Sequence, residues 1–149
     1  MLVLKVTGNQ GNVAIKAPFF IMSGIHAREM APPELSSRWV GMLIDGYGVD
    51  ADITAMLDST EIHVVLQSNP DARQVAETNP AAMSRKSKKL GSSTCTNNSN
   101  RRGVDLNHNF SYQWGLTSGS SSDQCAETYR GASASSEPEV KAIINYTVL

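Results

Sequence analysis

The sequence predicts an α/β domain in which a mixed β-sheet is flanked by helices. Short apolar stretches of strand length occur, and a longer segment with apolar residues at helical spacing separates two of them. Polar turn residues follow two of the strands directly. Strand, helix and strand in succession form the basic unit of an α/β sheet. A length of 149 residues is enough for one domain with a hydrophobic core.

Two strands are predicted near the N-terminus. Leu2 to Thr7 has the composition of a strand, and Val13 to Met22 that of a second one. The segment between them, Gly8 to Asn12, is rich in residues that tolerate positive φ, as a hairpin loop requires. We therefore expect the two strands to pair with each other, with Pro18 disturbing the ladder.

A helix is predicted next, followed by a short helix and a third strand. Pro32 and Pro33 suit the first turn of a helix, and Gly46 suits its end. The apolar residues at helical spacing between them are Leu35, Trp39, Leu43 and Ile44. A short helix follows over Asp52 to Leu57, and then a strand over Glu61 to Gln67. The apolar residues on one face of that strand are Ile62, Val64 and Leu66.

The second half of the chain is predicted to be mostly loop, from Ala72 to about Ser136. Loops of this length in a domain are usually functional or disordered. A final helix is expected after them, with Ser136 and Glu139 forming a capping box at its start. The apolar face of that helix consists of Val140, Ile143 and Ile144.

Composition excludes several classes of partner. The net charge of −1 gives no electrostatic basis for binding nucleic acid or an anionic membrane. No apolar run approaches the length of a membrane span, and no signal peptide is visible. Cys95 and Cys125 both lie in polar loops, which favours a disulfide and a secreted or periplasmic location. The alternative is a pair of free thiols.

The stretch from Ser23 to Glu29 is the candidate metal site. His26 and Glu29 are three residues apart in a segment that follows a predicted strand, so an imidazole and a carboxylate can converge on one point. Zinc accepts these two donors, and a catalytic zinc holds three protein ligands with one position open. The pattern alone is weak, because Glu29 could be a solvated surface residue. Asn69 follows another strand, so its segment is expected at the same crevice.

Four stretches in register resemble the zinc metallocarboxypeptidases of the carboxypeptidase A type. They are Gly24 to Glu29, Asn69 to Asp71, Asp105 to Phe110, and Glu127 to Gly131 with Ser136 to Glu139. The resemblance covers nearly the whole chain. It implies a zinc peptidase that uses metal-activated water to remove C-terminal residues from peptides or proteins.

The resemblance implies roles for residues around the metal. His26 and Glu29 match the first two ligands of one Zn²⁺ ion, and Asp105 matches an acid that orients the zinc-binding histidine. Arg85 matches a catalytic arginine that stabilises the developing oxyanion. The alternatives are that Asp105 is a simple turn or cap residue and that Arg85 belongs to a solvated basic loop.

Substrate-binding positions also match, with two departures. Arg28 matches an arginine in the substrate groove, and Asn107 and His108 match an Asn-Arg pair that holds the terminal carboxylate. Histidine lacks the permanently charged, planar guanidinium of arginine. We therefore expect either weaker or pH-dependent binding of the substrate carboxylate, or a changed substrate preference. Ala72 replaces a family glycine and would have to make a turn without glycine's freedom.

The remaining matches are structural. Cys95 and Cys125 match a family disulfide that pins two long loops together. Glu127, Tyr129 and Glu137 are interpreted as structural residues of a loop and a helix start.

The resemblance also implies that important residues lie beyond this chain. The third zinc ligand of the family is a histidine, and its general base is a glutamate; both are expected after residue 149. Residues 1–149 are thus predicted to be the N-terminal portion of one catalytic domain, a partial carboxypeptidase-like domain that is inactive alone. His63 and His108 are internal alternatives for the third ligand.

Three other functions remain open at this point. One is a non-catalytic relative that binds peptides or carbohydrate, and a second is a zinc acylase acting on N-acyl amino acids. The paired cysteines and the stretch from Glu127 to Glu139 favour the peptidase. The third is a structural α/β domain without a site. The sequence does not predict the oligomeric state.

Overall fold

The computed structural model describes residues 1–9, 15–88, 95, 102–116 and 118–148. These residues form a three-stranded mixed sheet and four α-helices, which confirms the predicted fold class. The chain divides into two units. The sheet unit consists of Leu2–Ser23 and Ala31–Gln67, and the loop unit consists of Gly24–Met30 and Ser68–Leu149 with Met1.

The sheet contains strands β1 (Leu4–Val6), β2 (Ala17–Met22) and β3 (Thr60–Val65) in the order β1-β3-β2. β1 is antiparallel to β3, and β2 is parallel to β3. The predicted hairpin between the first two strands is therefore wrong, because β3 lies between them. Residues 10–14, which belong to that predicted hairpin, lie outside the described residues.

The apolar side chains of β3 suit its central position in the sheet. Ile62 and Val64 are almost completely buried, as suits a strand with neighbours on both sides. Lys5 of β1 also forms an ion pair of 2.6 Å with Glu61 of β3. These pairings join residues far apart in sequence, so a local turn signal does not reveal them.

Helices α1 (Ala31–Gly46) and α2 (Ala51–Ser59) of the sheet unit confirm the two predicted helices. α2 begins where the side chain of Asp50 accepts hydrogen bonds from the backbone N–H groups of Asp52 and Ile53. These bonds satisfy two N–H groups that have no partner within the helix.

The core of the sheet unit is formed by both helices and β3. Its buried members are Val40, Leu43, Leu57, Ile62 and Val64. Two of the four apolar residues at helical spacing in α1, Leu35 and Ile44, are exposed.

In the loop unit, α3 (Pro70–Thr78) is a helix that the sequence does not predict, since the chain from Ala72 to about Ser136 is predicted to be mostly loop. Pro70 occupies the first turn, Ala72 and Ala76 are buried one turn apart, and Arg73 pairs with Glu77 at 2.7 Å. Ala72 is thus a helical residue, and the expected turn without glycine does not occur there.

The last helix, α4 (Pro138–Thr147), follows Glu137. The predicted capping box is wrong, because no side-chain cap hydrogen bond is made at Glu137. Ser136 instead donates its hydroxyl to Glu137 Oε1 and accepts from Asn109 Nδ2. Val140 and Ile143 are buried, as their spacing predicts.

Across the described ranges, no helix is both long enough and apolar enough to cross a lipid bilayer.

Candidate active site

His26 and Glu29 meet on a tight turn at the start of the loop unit. Gly24 adopts φ of 66°, a left-handed conformation that glycine tolerates, and the N–H of Glu29 donates to the carbonyl of His26 at 3.2 Å. This turn brings His26 Nδ1 to 2.9 Å from Glu29 Oε1. The convergence predicted from their spacing is therefore present.

The turn is anchored by two buried residues. Ala27 is fully buried against Ala72 and Ala76, and its N–H donates to the carbonyl of Arg85 at 3.2 Å. Asn69 is also fully buried, and its side-chain amide donates to the carbonyl oxygens of Ile25 and Arg85 at 3.3 and 3.4 Å. The two segments that follow β2 and β3 in sequence thus lie together, as predicted.

Asp105 holds the opposite nitrogen of His26. Its Oδ1 lies 3.1 Å from His26 Nε2, and its side chain is completely buried. The same oxygen accepts from the N–H of Asn107, and the backbone N–H of Asp105 donates to Tyr129 at 2.8 Å. A carboxylate at Nε2 favours the tautomer whose Nδ1 lone pair faces Glu29.

Arg85 binds the second carboxylate oxygen of Asp105. Its Nε and Nη2 donate to Asp105 Oδ2 at 3.2 and 2.8 Å, and its Nη1 lies 3.8 Å from Glu29 Oε1. Burial acts to raise the pKa of Asp105, but the hydrogen bonds from His26 and Arg85 outweigh it and hold the pKa below its ordinary value. Asp105 is thus a carboxylate rather than an acid.

The hydrogen bond between Asp105 and His26 lowers the pKa of the carboxylate but raises the pKa of the imidazole. The hydrogen bond to Asp105 raises the pKa of His26 above 6.5, against the lowering effect of burial. Ionised Asp105 therefore increases the basicity of the ring. A more basic nitrogen is a stronger metal ligand once its proton is lost.

These residues fit two of the three protein positions of a catalytic zinc site. Ligands of a tetrahedral zinc with bonds of about 2.0–2.1 Å are about 3.3 Å apart, and the donor atoms of His26 and Glu29 are 2.9 Å apart. Within the part of the chain that the structure describes, no three His, Cys, Asp or Glu side chains form a group that could hold a metal ion. Among the described residues, neither His63 nor His108 therefore provides a third metal ligand beside His26 and Glu29.

Asn107 and His108 follow Asp105 on a short 3₁₀ turn, Leu106–His108. His108 Nε2 lies 3.9 Å from Asp105 Oδ2. Both residues line a cavity of about 170 Å³ whose aromatic walls are Phe110, Tyr112 and Trp114. The predicted carboxylate-binding pair thus lies beside the Asp105 carboxylate and faces a cavity large enough for part of a ligand.

Arg28 is bound to Glu127. Its Nη1 and Nη2 donate to the two carboxylate oxygens of Glu127, each at 3.2 Å. The sequence predicts a substrate role for Arg28 and a structural one for Glu127, without joining them. The structure places the two side chains in one ion pair.

Lys86, the residue after Arg85, is a buried lysine. The alternative interpretation of this basic segment as a fully solvated loop is therefore wrong for Lys86. It is 2% exposed, and its ammonium donates to the carbonyl oxygens of Gln124 and Ala126 at 2.8 and 2.9 Å. The ammonium also lies 5.7 Å from the centroid of the Tyr129 ring. Lys86 therefore fixes the segment that carries Glu127.

Asn109 has a structural role that the sequence does not indicate. Its side-chain amide donates to the carbonyls of Arg130 and Ser133 and to Ser136 Oγ, and its Oδ1 accepts from the N–H of Glu137. Its surroundings are tight, since a Cβ at Gly131 would lie 2.6 Å from Asn109 Nδ2. Its position as a polar residue four places after Asp105 is the only sequence signal.

Cys95 and Cys125 form the predicted disulfide, with their Cα atoms 5.5 Å apart. The bridge closes a loop with a sequence separation of 30 residues. Cys125 lies two residues before Glu127, so the covalent link holds the same segment that Lys86 binds.

Replacing both cysteines with alanine is expected to lower the free energy of unfolding by about 3.5 kcal/mol, from the loop entropy that the bridge removes. Urea unfolding of the full-length protein, meaning the product of the whole reading frame that contains these residues, measures the change. Wild-type protein in strong reductant is the matched control and should lose a similar amount. Equal midpoints for the oxidised wild type and the double variant would contradict the expectation.

Solved structures share this fold. The crystal structure of thrombin activatable fibrinolysis inhibitor matches 98% of the chain with a TM-score of 0.84 and 32% sequence identity, over 34% of that structure. Bovine thrombin-activatable fibrinolysis inhibitor, in complex with tick carboxypeptidase inhibitor, matches 98% of the chain with a TM-score of 0.79 and 31% identity, over 43% of its length. The chain thus shares its fold with part of each of these two proteins.

The sequence comparisons give the family. Residues 1–148 match the family model described as zinc carboxypeptidase. Human carboxypeptidase A5 is 35% identical over 148 residues, which cover 98% of this chain and 31% of that protein. The chain belongs to the zinc carboxypeptidase family, and it spans about a third of the length of the curated relatives that it matches.

Proposed function

We propose that the full-length protein is a zinc-dependent metallocarboxypeptidase that hydrolyses C-terminal residues from peptides, and that residues 1–149 are the N-terminal portion of its catalytic domain. The observation that carries this proposal is the position of His26, whose Nδ1 faces Glu29 while Nε2 is held by buried Asp105. Membership of the zinc carboxypeptidase family supports it.

His26 and Glu29 would hold the zinc, and Asp105 would fix the ring of His26 through its other nitrogen. Zinc in such sites polarises a carbonyl group and activates water. A third ligand and a general base are also required. Since the described residues contain no group of three metal-binding side chains, we expect residues 1–149 alone to bind zinc weakly and to hydrolyse nothing.

Arg85 supplies a fixed cation beside the proposed metal pair. Its Nη1 lies 3.8 Å from Glu29 Oε1 while its other donors hold Asp105, so the guanidinium is oriented before a substrate arrives. A cation that is already oriented stabilises negative charge on a substrate oxygen without a reorganisation cost. Arg85 is therefore the proposed catalytic arginine.

Asn107 and His108 would hold the terminal carboxylate of the substrate, and Arg28 would contact the peptide in the groove. His108 offers at most two donors and lacks the bidentate fork of arginine.

A non-catalytic peptide-binding relative is the second candidate, because His108 stands where the family has an arginine. The variant His108→Arg separates the two functions. For a carboxypeptidase, arginine should improve cleavage of C-terminal residues; for a binding protein, function should stay unchanged. The Cys95–Cys125 disulfide supports a secreted or periplasmic location for either one.

The full-length protein is expected to contain about one zinc ion per chain and to remove C-terminal residues from peptides. Prolonged dialysis against 1,10-phenanthroline should abolish hydrolysis, and added Zn²⁺ should restore it. Metal analysis and a peptide-release assay measure both quantities. The proposal fails if the intact protein is free of metal, or if the chelator leaves hydrolysis unchanged.

A further inference from the structure

We infer that Glu127 sets substrate specificity by neutralising Arg28, so that the groove beside the metal pair accepts an uncharged part of the peptide rather than an acidic side chain. This inference rests on the proposed function, in which Arg28 contacts the substrate. Glu127 is then a positioning residue, since it acts through the arginine.

The geometry of the pair leaves little attraction for a second carboxylate. Both oxygens of Glu127 accept from Arg28 at 3.2 Å, so the guanidinium has the bidentate partner that its shape favours. Nη1 and Nη2 each carry a second N–H, which suits a neutral acceptor such as a peptide carbonyl. The pair thus orients the arginine while cancelling its charge.

Arg28 is within reach of a ligand. It lies between His26 and Glu29 in the chain, and its side chain is 27% exposed, while that of Glu127 is 51% exposed. At this exposure the ion pair itself contributes little to stability. Its effect on the charge that a substrate meets is therefore the more important consequence.

Glu127 is held in place by contacts on both sides. The preceding residues, Gln124 and Ala126, bind the buried Lys86 ammonium through their carbonyl oxygens, and Cys125 lies in the disulfide. The carbonyl of Tyr129 accepts from the N–H of Asp105. The carboxylate is thus attached to a fixed segment that also contacts the candidate site.

The test is the variant Glu127→Gln in the full-length zinc-loaded protein, assayed with peptide pairs that carry Glu or Gln at each position upstream of the cleaved bond. Wild type should show nearly equal kcat/KM for each pair. The variant should prefer the Glu peptide at one position by about fivefold, through KM, because the charge of Arg28 is then no longer neutralised. High salt should reduce this gain.

Three further variants isolate the charge effect. Glu127→Asp keeps the carboxylate and should behave as wild type. The double variant Arg28→Gln/Glu127→Gln should lose the gain, because no cation remains. Glu34→Gln, which removes one charge from an exposed pair with Arg38, controls for net charge and should leave selectivity unchanged.

Binding of the same peptide pairs, measured by calorimetry on the protein with the chelator present, provides a readout independent of hydrolysis. A gain in affinity for the acidic peptide in Glu127→Gln supports the inference even if that variant has lost turnover. Equal Glu and Gln preference in Glu127→Gln overturns the inference while leaving the peptidase proposal intact. If wild type neither binds nor cleaves any peptide, both are overturned.

Discussion

Replacing His26 with alanine is expected to remove zinc from the full-length protein and to reduce peptide hydrolysis below detection. The ring nitrogen that faces Glu29 is one of two protein donors placed together in the described residues, so its loss leaves a single one there. Zinc in catalytic sites depends on three protein ligands. Metal analysis after dialysis and a peptide-release assay measure the two effects.

The matched control is His63→Gln. His63 belongs to β3 of the sheet unit, and its Nε2 lies 3.4 Å from Glu61 Oε2. This variant should keep its zinc and its activity. A loss of folding in His26→Ala would be detected as a lower urea midpoint. With the chelator present for both proteins, so that zinc stabilises neither, we expect a change of only about 1–2 kcal/mol from the lost hydrogen bonds. Retention of stoichiometric zinc by His26→Ala would refute the ligand assignment.

The sequence predicts elements well where the signal is local. α1 follows from prolines, helical spacing and a terminal glycine, and α2 is predicted as a short helix over Asp52 to Leu57. The pairing of β1 with β3 places Lys5 opposite His63, and these residues are far apart in the chain. The loop residues Gly8 and Asn9 instead favour pairing of β1 with β2, which does not occur. Strand order depends on which strand is most buried, and that is a property of the assembled core.

α3 illustrates a second limit. The segment from Pro70 to Thr78 contains mainly polar and small residues, and Val75 is its only large apolar side chain. Its buried positions are alanines, Ala72 and Ala76, whose small side chains allow close packing against Ala27. Such a contact stabilises a helix without the large apolar face on which a sequence prediction depends.

The candidate site shows the same division between local and distant information. The His26–Glu29 pair is visible as a spacing in the sequence. The contact of His26 with Asp105 joins residues 79 positions apart, and only the family resemblance indicates it in advance. The pairing of Arg28 with Glu127, 99 positions apart, is indicated by neither the spacing nor the family motif.

Asn109→Asp is expected to destabilise the protein by about 5 kcal/mol, the largest stability effect of any substitution proposed for this chain. Asn109 is completely buried, and its amide donates to the carbonyls of Arg130 and Ser133. Aspartate has the same shape but no donor, so these carbonyls lose their partner and a negative charge is buried beside their oxygens. A buried charge without compensation costs about 3–5 kcal/mol, and each unsatisfied polar group adds about 1–3 kcal/mol.

A loss of this size approaches the whole stability of many domains, which is about 5–15 kcal/mol. Urea unfolding of the full-length protein should therefore show either a much lower midpoint or no folded baseline. Asn145→Asp makes the same chemical change at an exposed position of α4, and its cost should stay below about 1 kcal/mol. If the two variants unfold at the same urea concentration, Asn109 does not hold the loops around α4 in the way that its four hydrogen bonds indicate.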